Sequence, residues 1–419
     1  MHSHGAHAAG EPGPEPGTAA QDARRRLRRL LAAVLIPLVV LTAVALVVLL
    51  PDRDRIDRFP SGLGPQTDLV RAELLTREVV PCPDRAAGGQ DGELVPILPP
   101  PADAPGVGQT ECISATVALQ SGPNAGDSFV LDALSTPVTP FPEKGTVLLS
   151  YEPDAEPGEQ YAFADVERRN PLLLLAGVFA IAVIALGRWT GLRALFGLGL
   201  TLLVLTGFVL PALLAGSNAL LVALVGSAAV MFTVLYLAHG LRVQTSIAVL
   251  GTLASLLLTV LLAEVFVRAS ALTGLGSDET SLISSTVGTL DLRGLLLAGI
   301  VIGSLGVLDD VTVTQSSAVW ELHLANPAAS ARELYTAGIR IGRDHIASTV
   351  NTLVLAYVGA SLPLLVVYSL AGSQLQDVLT SEVVAQEVVR TLVGSIGLVA
   401  AVPLTTLLAA LTVRVDRVR

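Results

Sequence analysis

The sequence predicts an all-α polytopic membrane bundle of about eight transmembrane helices, joined to a small extracytoplasmic all-β module of OB-like barrel type. Three observations lead there. Hydrophobic residues make up 52% of the 419-residue chain and charged residues only 15%, a balance typical of multi-span membrane proteins and not of soluble enzymes. Uncharged apolar runs of bilayer length recur along the chain. One polar segment, residues 51–170, interrupts them with short strand-like runs.

Residues 1–29 read as a disordered cytoplasmic tail carrying an arginine cluster. Met1 to Gln21 is rich in Gly, Pro, Ala and Glu, which cannot bury a core. His2, His4 and His7 lie there without a second ligand cluster, so no metal site and no cofactor are expected. Arg24, Arg25, Arg26, Arg28 and Arg29 precede the apolar run of residues 30–50, which is long enough to cross a bilayer. Pro37 is tolerated in a membrane helix. A cleaved signal peptide is the competing reading. The long tail and the length of the run favour an uncleaved signal-anchor, with the arginines holding the N-terminus in the cytoplasm.

Residues 51–170 form the polar module, with 20 acidic and 9 basic residues. Its β-prone runs are Leu69–Val80, Ile113–Gln120, Ser128–Leu134, Thr146–Tyr151 and Gln160–Val166. Ser121-Gly122-Pro123-Asn124-Ala125-Gly126 is a turn between two of them. Five short strands suggest a small barrel, with a Pro/Gly-rich insertion from Asp84 to Gly108. Cys82 and Cys112 both fall here. Outside the membrane, a disulfide and two unpaired thiols are both open. The module has neither an aromatic platform nor a basic groove, and the chain carries a formal charge of −10, so no nucleic-acid partner is expected.

The seven-helix membrane domain occupies residues 171–413, followed by a cytoplasmic tail, 414–419. The apolar runs are Leu172–Gly187, Ala194–Leu214, Ala219–Ala238, Thr245–Phe266, Leu292–Leu308, Ile346–Leu370 and Val388–Val413. With an inside N-terminus, Arg188, Arg193, Arg242, Arg332, Arg340, Arg343, Arg414, Arg417 and Arg419 all fall on the cytoplasmic side. The acidic loops around Asp278, Glu279, Asp377, Glu382 and Glu387 fall outside. This satisfies the positive-inside rule, with both termini cytoplasmic and residues 51–170 outside the cytoplasmic membrane. Ser330 to His345 reads as an amphipathic interfacial helix.

Residues Leu305 to Leu322, LGVLDDVTVTQSSAVWEL, carry the densest chemistry. On a helix, Asp310, Thr314, Ser317 and Glu321 share one stripe at i, i+4, i+7, i+11, and Asp309, Thr312 and Ser316 form a neighbouring one. Such a face does not suit lipid. Three readings compete: an ion or substrate pathway, a structural polar seam, and a helix that has already left the membrane at Leu308. Gly299, Gly303 and Gly306 invite close helix packing, and Asn351 and Thr352 on the next span could meet the acids. Glu264 with Arg268, and Asp291 with Arg293, are read as structural. His239 and His323 are read as interfacial. Enzyme signatures such as HExxH, GxxxxGK[ST] and GxSxG are absent, so no enzymatic activity is expected.

Gly306, Asp309 and Asp310-Val311, with Thr314, Ser316, Ser317, Glu321 and Leu322, resemble the block of the YibE/F-like family of bacterial membrane proteins. That alignment puts the family's acid on Asp310 and leaves Asp309 extra. The resemblance extends from Thr67 to Val413 and implies a polytopic inner-membrane protein of permease type without a firm substrate. The expected function is therefore secondary transport of a small molecule coupled to a cation or proton through Asp310, within the lipid bilayer, with homo-oligomerisation open. The competing class is a scaffold or sensor whose β module binds a partner.

Overall fold

The computed structural model describes residues 18–50, 68–81, 111–135, 144–153, 155, 160–276, 280–281, 291–372 and 374–416. The chain divides into two compact units, Pro60–Ala182 and a second made of Met1–Phe59 with Val183–Arg419.

In the smaller unit β1 (Asp68–Pro81), β2 (Glu111–Leu119), β3 (Ser128–Ser135), β4 (Gly145–Tyr151) and β5 (Tyr161–Val166) match the five expected strands. They form one antiparallel sheet in the order β3-β2-β1-β4-β5. Strict alternation on β2 sends Ile113, Ala115, Val117 and Leu119 into a core shared with Val70, Ala72, Val147 and Leu149, the period of two that a one-sided sheet requires. The barrel expectation is corrected here: the sheet is open, with β3 and β5 as its edges. The Phe129 and Tyr161 rings meet at 5.0 Å, so the two edges are joined by aromatic contact and not by a backbone ladder. Burial holds the Tyr161 hydroxyl above the usual tyrosine range. Cys82 lies outside the described residues, as does the side chain of Cys112, and the disulfide question lies outside with them.

The helical unit begins with α1 (Thr18–Val48). Its helix starts ahead of the arginine cluster, so the arginines expected in a disordered tail are helical. Helix α2 (Arg169–Val204) continues through a π-helical turn, Leu205–Val209, into α3 (Leu210–Leu214). Then come α4 (Ala219–His239), α5 (Val243–Ala269), α6 (Leu292–Ala325), α7 (Ala331–Ala360), α8 (Leu362–Leu370), α9 (Leu375–Thr380) and α10 (Glu382–Asp416). Helices α5, α6 and α10 pack on one another, with α4 against α6 and α7 against α10.

Among the described residues, six helices are long and apolar enough to cross a membrane, or seven when α7 and α8, bent by 56°, count as one. The sequence runs Leu172–Gly187 and Ala194–Leu214 are merged in this count into one stretch of 46 residues, Arg169–Leu214. That stretch is broken at Arg188 (φ 50, ψ −128). A Cβ on Gly191 would strike the Val183 carbonyl. In a straight helix two residues eight apart are about 12 Å apart, so the chain bends back sharply here.

Burial reveals the solvent the fold is built for. Leu186, Leu202 and Leu203 on α2, Leu257 and Leu261 on α5, and Leu407 and Leu411 on α10 are exposed. Hydroxyl side chains lie inside: Thr252, Ser255 and Thr259 on α5, Thr312 and Ser316 on α6, Thr405 and Thr406 on α10. This is an apolar coat around a partly polar interior, the arrangement lipid demands.

Candidate functional site

Helix α6 does not end at Leu308. It runs 34 residues, about 51 Å, and puts both acids near its middle. Burial continues past them through Val311, Thr312, Gln315, Ser316, Val319 and Trp320. The helix thus continues beyond the apolar run Leu292–Leu308, and no capping residue interrupts it before Asn326.

The 100° step between neighbours separates the two carboxylates. Asp310 is exposed, with Thr314 and Glu321, and Ser317 is half-buried. Thr314 Oγ1 donates to its own helix, to the Asp310 carbonyl at 2.7 Å. Asp309 belongs to the inward stripe, with Thr312 and Ser316 fully buried beside it. The stripe singled out in the sequence, Asp310-Thr314-Ser317-Glu321, therefore lies on the outer side, and the neighbouring one faces the bundle.

Among the described residues the Asp309 carboxylate has one hydroxyl neighbour, Thr252 Oγ1 on α5, which donates to Oδ1 at 3.5 Å. That hydroxyl is also 3.0 Å from the Ala248 carbonyl and 2.7 Å from Thr312 Oγ1. A hydroxyl has a single proton to give, and the carboxylate is its most distant neighbour. Asp309 also lines a cavity of about 270 Å³ between the end of α2, α4 and α6, with Leu205, Val209, Ser227 and Gly306 among its walls. Leu205 and Val209 bound the π-helical turn. Ser227 is 2% exposed, and its hydroxyl has no partner among the described residues.

A second node lies further along α6. Gln315 Nε2 donates to the Gly338 carbonyl on α7 and to Thr406 Oγ1 on α10, both at 2.7 Å. Ser316 Oγ donates to the Gln244 carbonyl at 3.0 Å, and Gln244 Nε2 donates to Ser317 Oγ at 2.7 Å. These bonds tie three helices to α6.

Other expected residues fall elsewhere. Asn351 is exposed and makes no hydrogen bond to either acid. Gly299, Gly303 and Gly306 are exposed, and no helix backbone comes against them; Gly299 faces Arg390 and Gly303 faces the Tyr357 hydroxyl. This departs from the expected packing motif, and Gly306 instead opens the cavity beside Asp309. Glu264 pairs with Arg268 and, at 3.9 Å, with Arg293, while Asp291 caps α6 by accepting from Gly294 N at 2.9 Å. His239 is exposed at the end of α4, and His323 is buried near the end of α6. Thr252, Gln315 and Ser227 did not stand out in the sequence. For Thr252 a signal was there: Thr245, Thr252, Ser255 and Thr259 recur on one helical face, and all four are buried.

A bundle coated in exposed aliphatic side chains, with hydroxyls, an amide and a carboxyl inside, defines a multi-pass membrane protein. The family is specific: the model of the YibE/F-like protein family matches residues 175–415, and the chain belongs to that family. The match takes in the helices from within α2 onward and leaves the five strands outside, a narrower extent than the resemblance from Thr67. No curated protein and no solved structure matches the chain.

Proposed function

We propose that this chain is a secondary transporter or permease in which Asp309, and not Asp310, exchanges a proton or small cation. One observation carries the reading: the Asp309 carboxylate opens on the 270 Å³ cavity with a single, contested hydroxyl as neighbour. An ionised carboxylate is costly to hold among aliphatic walls. A bound proton or cation would neutralise it, and exchange of that ion supplies a coupling step. The Ser227 hydroxyl offers a second ligand on the facing wall. π-Helical turns recur at functional sites, and one forms part of this cavity.

The rest of the reading follows from the charge pattern. The arginines support eight crossings of the cytoplasmic membrane, with both termini in the cytoplasm and residues 51–170 outside. The sharp bend at Arg188 supports counting Arg169–Leu214 as two crossings. The substrate is a small molecule, and no enzymatic step is assigned. The seam reading applies to a different part of α6: both amide protons of Gln315 are taken, by the Gly338 carbonyl and by Thr406 Oγ1, so this node is assigned to packing.

Purified protein on a solid-supported membrane tests this without a known substrate. A step in pH, sodium or potassium should give a transient current in the wild type. Asp309→Asn should abolish it and Asp310→Asn should leave it. A wild-type chain silent to all three steps, or a current that survives Asp309→Asn, would defeat the coupling role and favour the scaffold class.

A further inference from the structure

A much larger cavity, about 1180 Å³, lies at the end of the bundle where α1 starts, α4 passes into α5, and α6 and α10 finish. Four arginines line it, Arg24, Arg28, Arg242 and Arg414, against one carboxylate, Asp416. Arg24 Nε is occupied by Asp416 at 3.2 Å. Arg28, Arg242 and Arg414 have no ion-pair partner among the described residues. Helix packing fixes where they stand. Leu27 and Leu31 on α1 pack against a buried cluster that includes Val243, Trp320 and Val413, which brings the arginine turns of α1 over the cavity.

Helix α5 adds a second source of positive potential. Its first residues, Val243 and Gln244, line the cavity. Its N-cap is Arg242, which makes no side-chain cap bond. The first backbone N–H groups of a 27-residue helix thus lack a cap beside three free guanidinium groups. An uncapped helix start attracts anions, and phosphate above all. Guanidinium groups bind phosphate oxygens through forked, charge-assisted hydrogen bonds.

Membrane topology alone accounts for arginines at one end of a bundle. It does not require four of them to converge on one cavity with a helix start. Arg340 and Arg343, exposed on α7, do not line the cavity. We propose that this cavity binds a phosphate-bearing anion, with Arg28, Arg242 and Arg414 and the start of α5 as its ligands. The inference does not depend on the role of Asp309.

Two sources share that chemistry, a soluble phosphate compound and an anionic lipid headgroup, and two probes separate them. Titration calorimetry of the full-length protein in neutral detergent uses inorganic pyrophosphate. Native mass spectrometry from nanodiscs of mixed phosphatidylglycerol and phosphatidylcholine counts the lipids retained. The cavity variant is Arg242→Gln with Arg414→Gln, and the control with equal charge change is Arg340→Gln with Arg343→Gln. All four side chains are exposed, and size-exclusion profiles report their folding. Pyrophosphate binding weakened about tenfold or more in the cavity variant alone assigns a soluble ligand. Selective retention of phosphatidylglycerol lost in the cavity variant alone assigns a headgroup. If the wild type binds neither probe, or the two variants behave alike, the proposal is overturned.

Discussion

Thr252 has one hydroxyl proton and three neighbours within reach of it, and the Asp309 carboxylate is the most distant of them. Gln315 is the opposite case. Both of its amide protons are used, each at 2.7 Å, and Thr406 passes its own proton on to the Val402 carbonyl at 2.6 Å. Gln315→Leu should therefore remove the second hydrogen bond to the Gly338 carbonyl, which the helix also engages, and leave the Thr406 oxygen without its donor. Buried unsatisfied groups cost about 1–3 kcal/mol, and interhelical hydrogen bonds in membranes average nearer 0.6 kcal/mol. A loss of about 1–2 kcal/mol in denaturant unfolding from mild detergent is expected. Thr314→Ala, which removes only an exposed bond to its own helix, should stay within about 0.5 kcal/mol. Equal stability of the two variants would remove Gln315 from the packing seam. The sequence showed that this helix carries two polar stripes but not which one turns inward. Thr314 made the Asp310 stripe look richer, yet its hydroxyl satisfies itself on its own helix. Direction was decided by neighbours on α5 and α10, which no single-helix projection contains.

At the scale of elements, local pattern was enough wherever one face of a segment was apolar and the other polar. The five strands and the turn at Gly122 were legible because alternation and Gly/Pro/Asn punctuation act within a few residues. Closure was not, because it depends on pairing between β3 and β5, which are remote in sequence and meet only through Phe129 and Tyr161. Helix contacts show the same limit. The glycines spaced as a motif, Gly299, Gly303 and Gly306, meet no helix backbone, while Gly251 and Gly397 sit directly against Thr405 and Thr259. Spacing identifies a smooth face; only the opposite helix identifies which smooth face is used. Gly251→Leu should force α5 away from α10, an overpacking cost of about 1–3 kcal/mol. It should lower the thermal midpoint in detergent by several degrees. A Cβ at Gly306 meets nothing within 4 Å, so Gly306→Ala should leave the midpoint unchanged. The reverse ranking would return the packing role to the sequence motif.

The whole molecule turns on how often it crosses the bilayer, and the deciding place is Arg188. A continuous helix of 46 residues would measure about 69 Å, more than twice the roughly 30 Å hydrocarbon core. A single crossing would leave Arg188 and Trp189 deep in lipid, where an arginine is costly. On the proposed count of two crossings, a break at Arg188 would let each half cross separately and would bring these residues to an interface, where arginine and tryptophan are at home. Trp189 is 76% exposed, so cysteine placed there reports its surroundings without disturbing packing. With Cys82 and Cys112 replaced by Ser, Trp189→Cys should react with a membrane-impermeant maleimide from one side of sealed vesicles. Ser217→Cys, in the turn after α3, should react only from the other side. One transmembrane segment would then separate the two positions, and Arg169–Leu214 would contribute two crossings. Protection of Trp189→Cys from both sides, with normal labelling of Ser217→Cys, would return the stretch to a single crossing. That change would reverse the parity of the chain and place its two ends on opposite sides of the membrane.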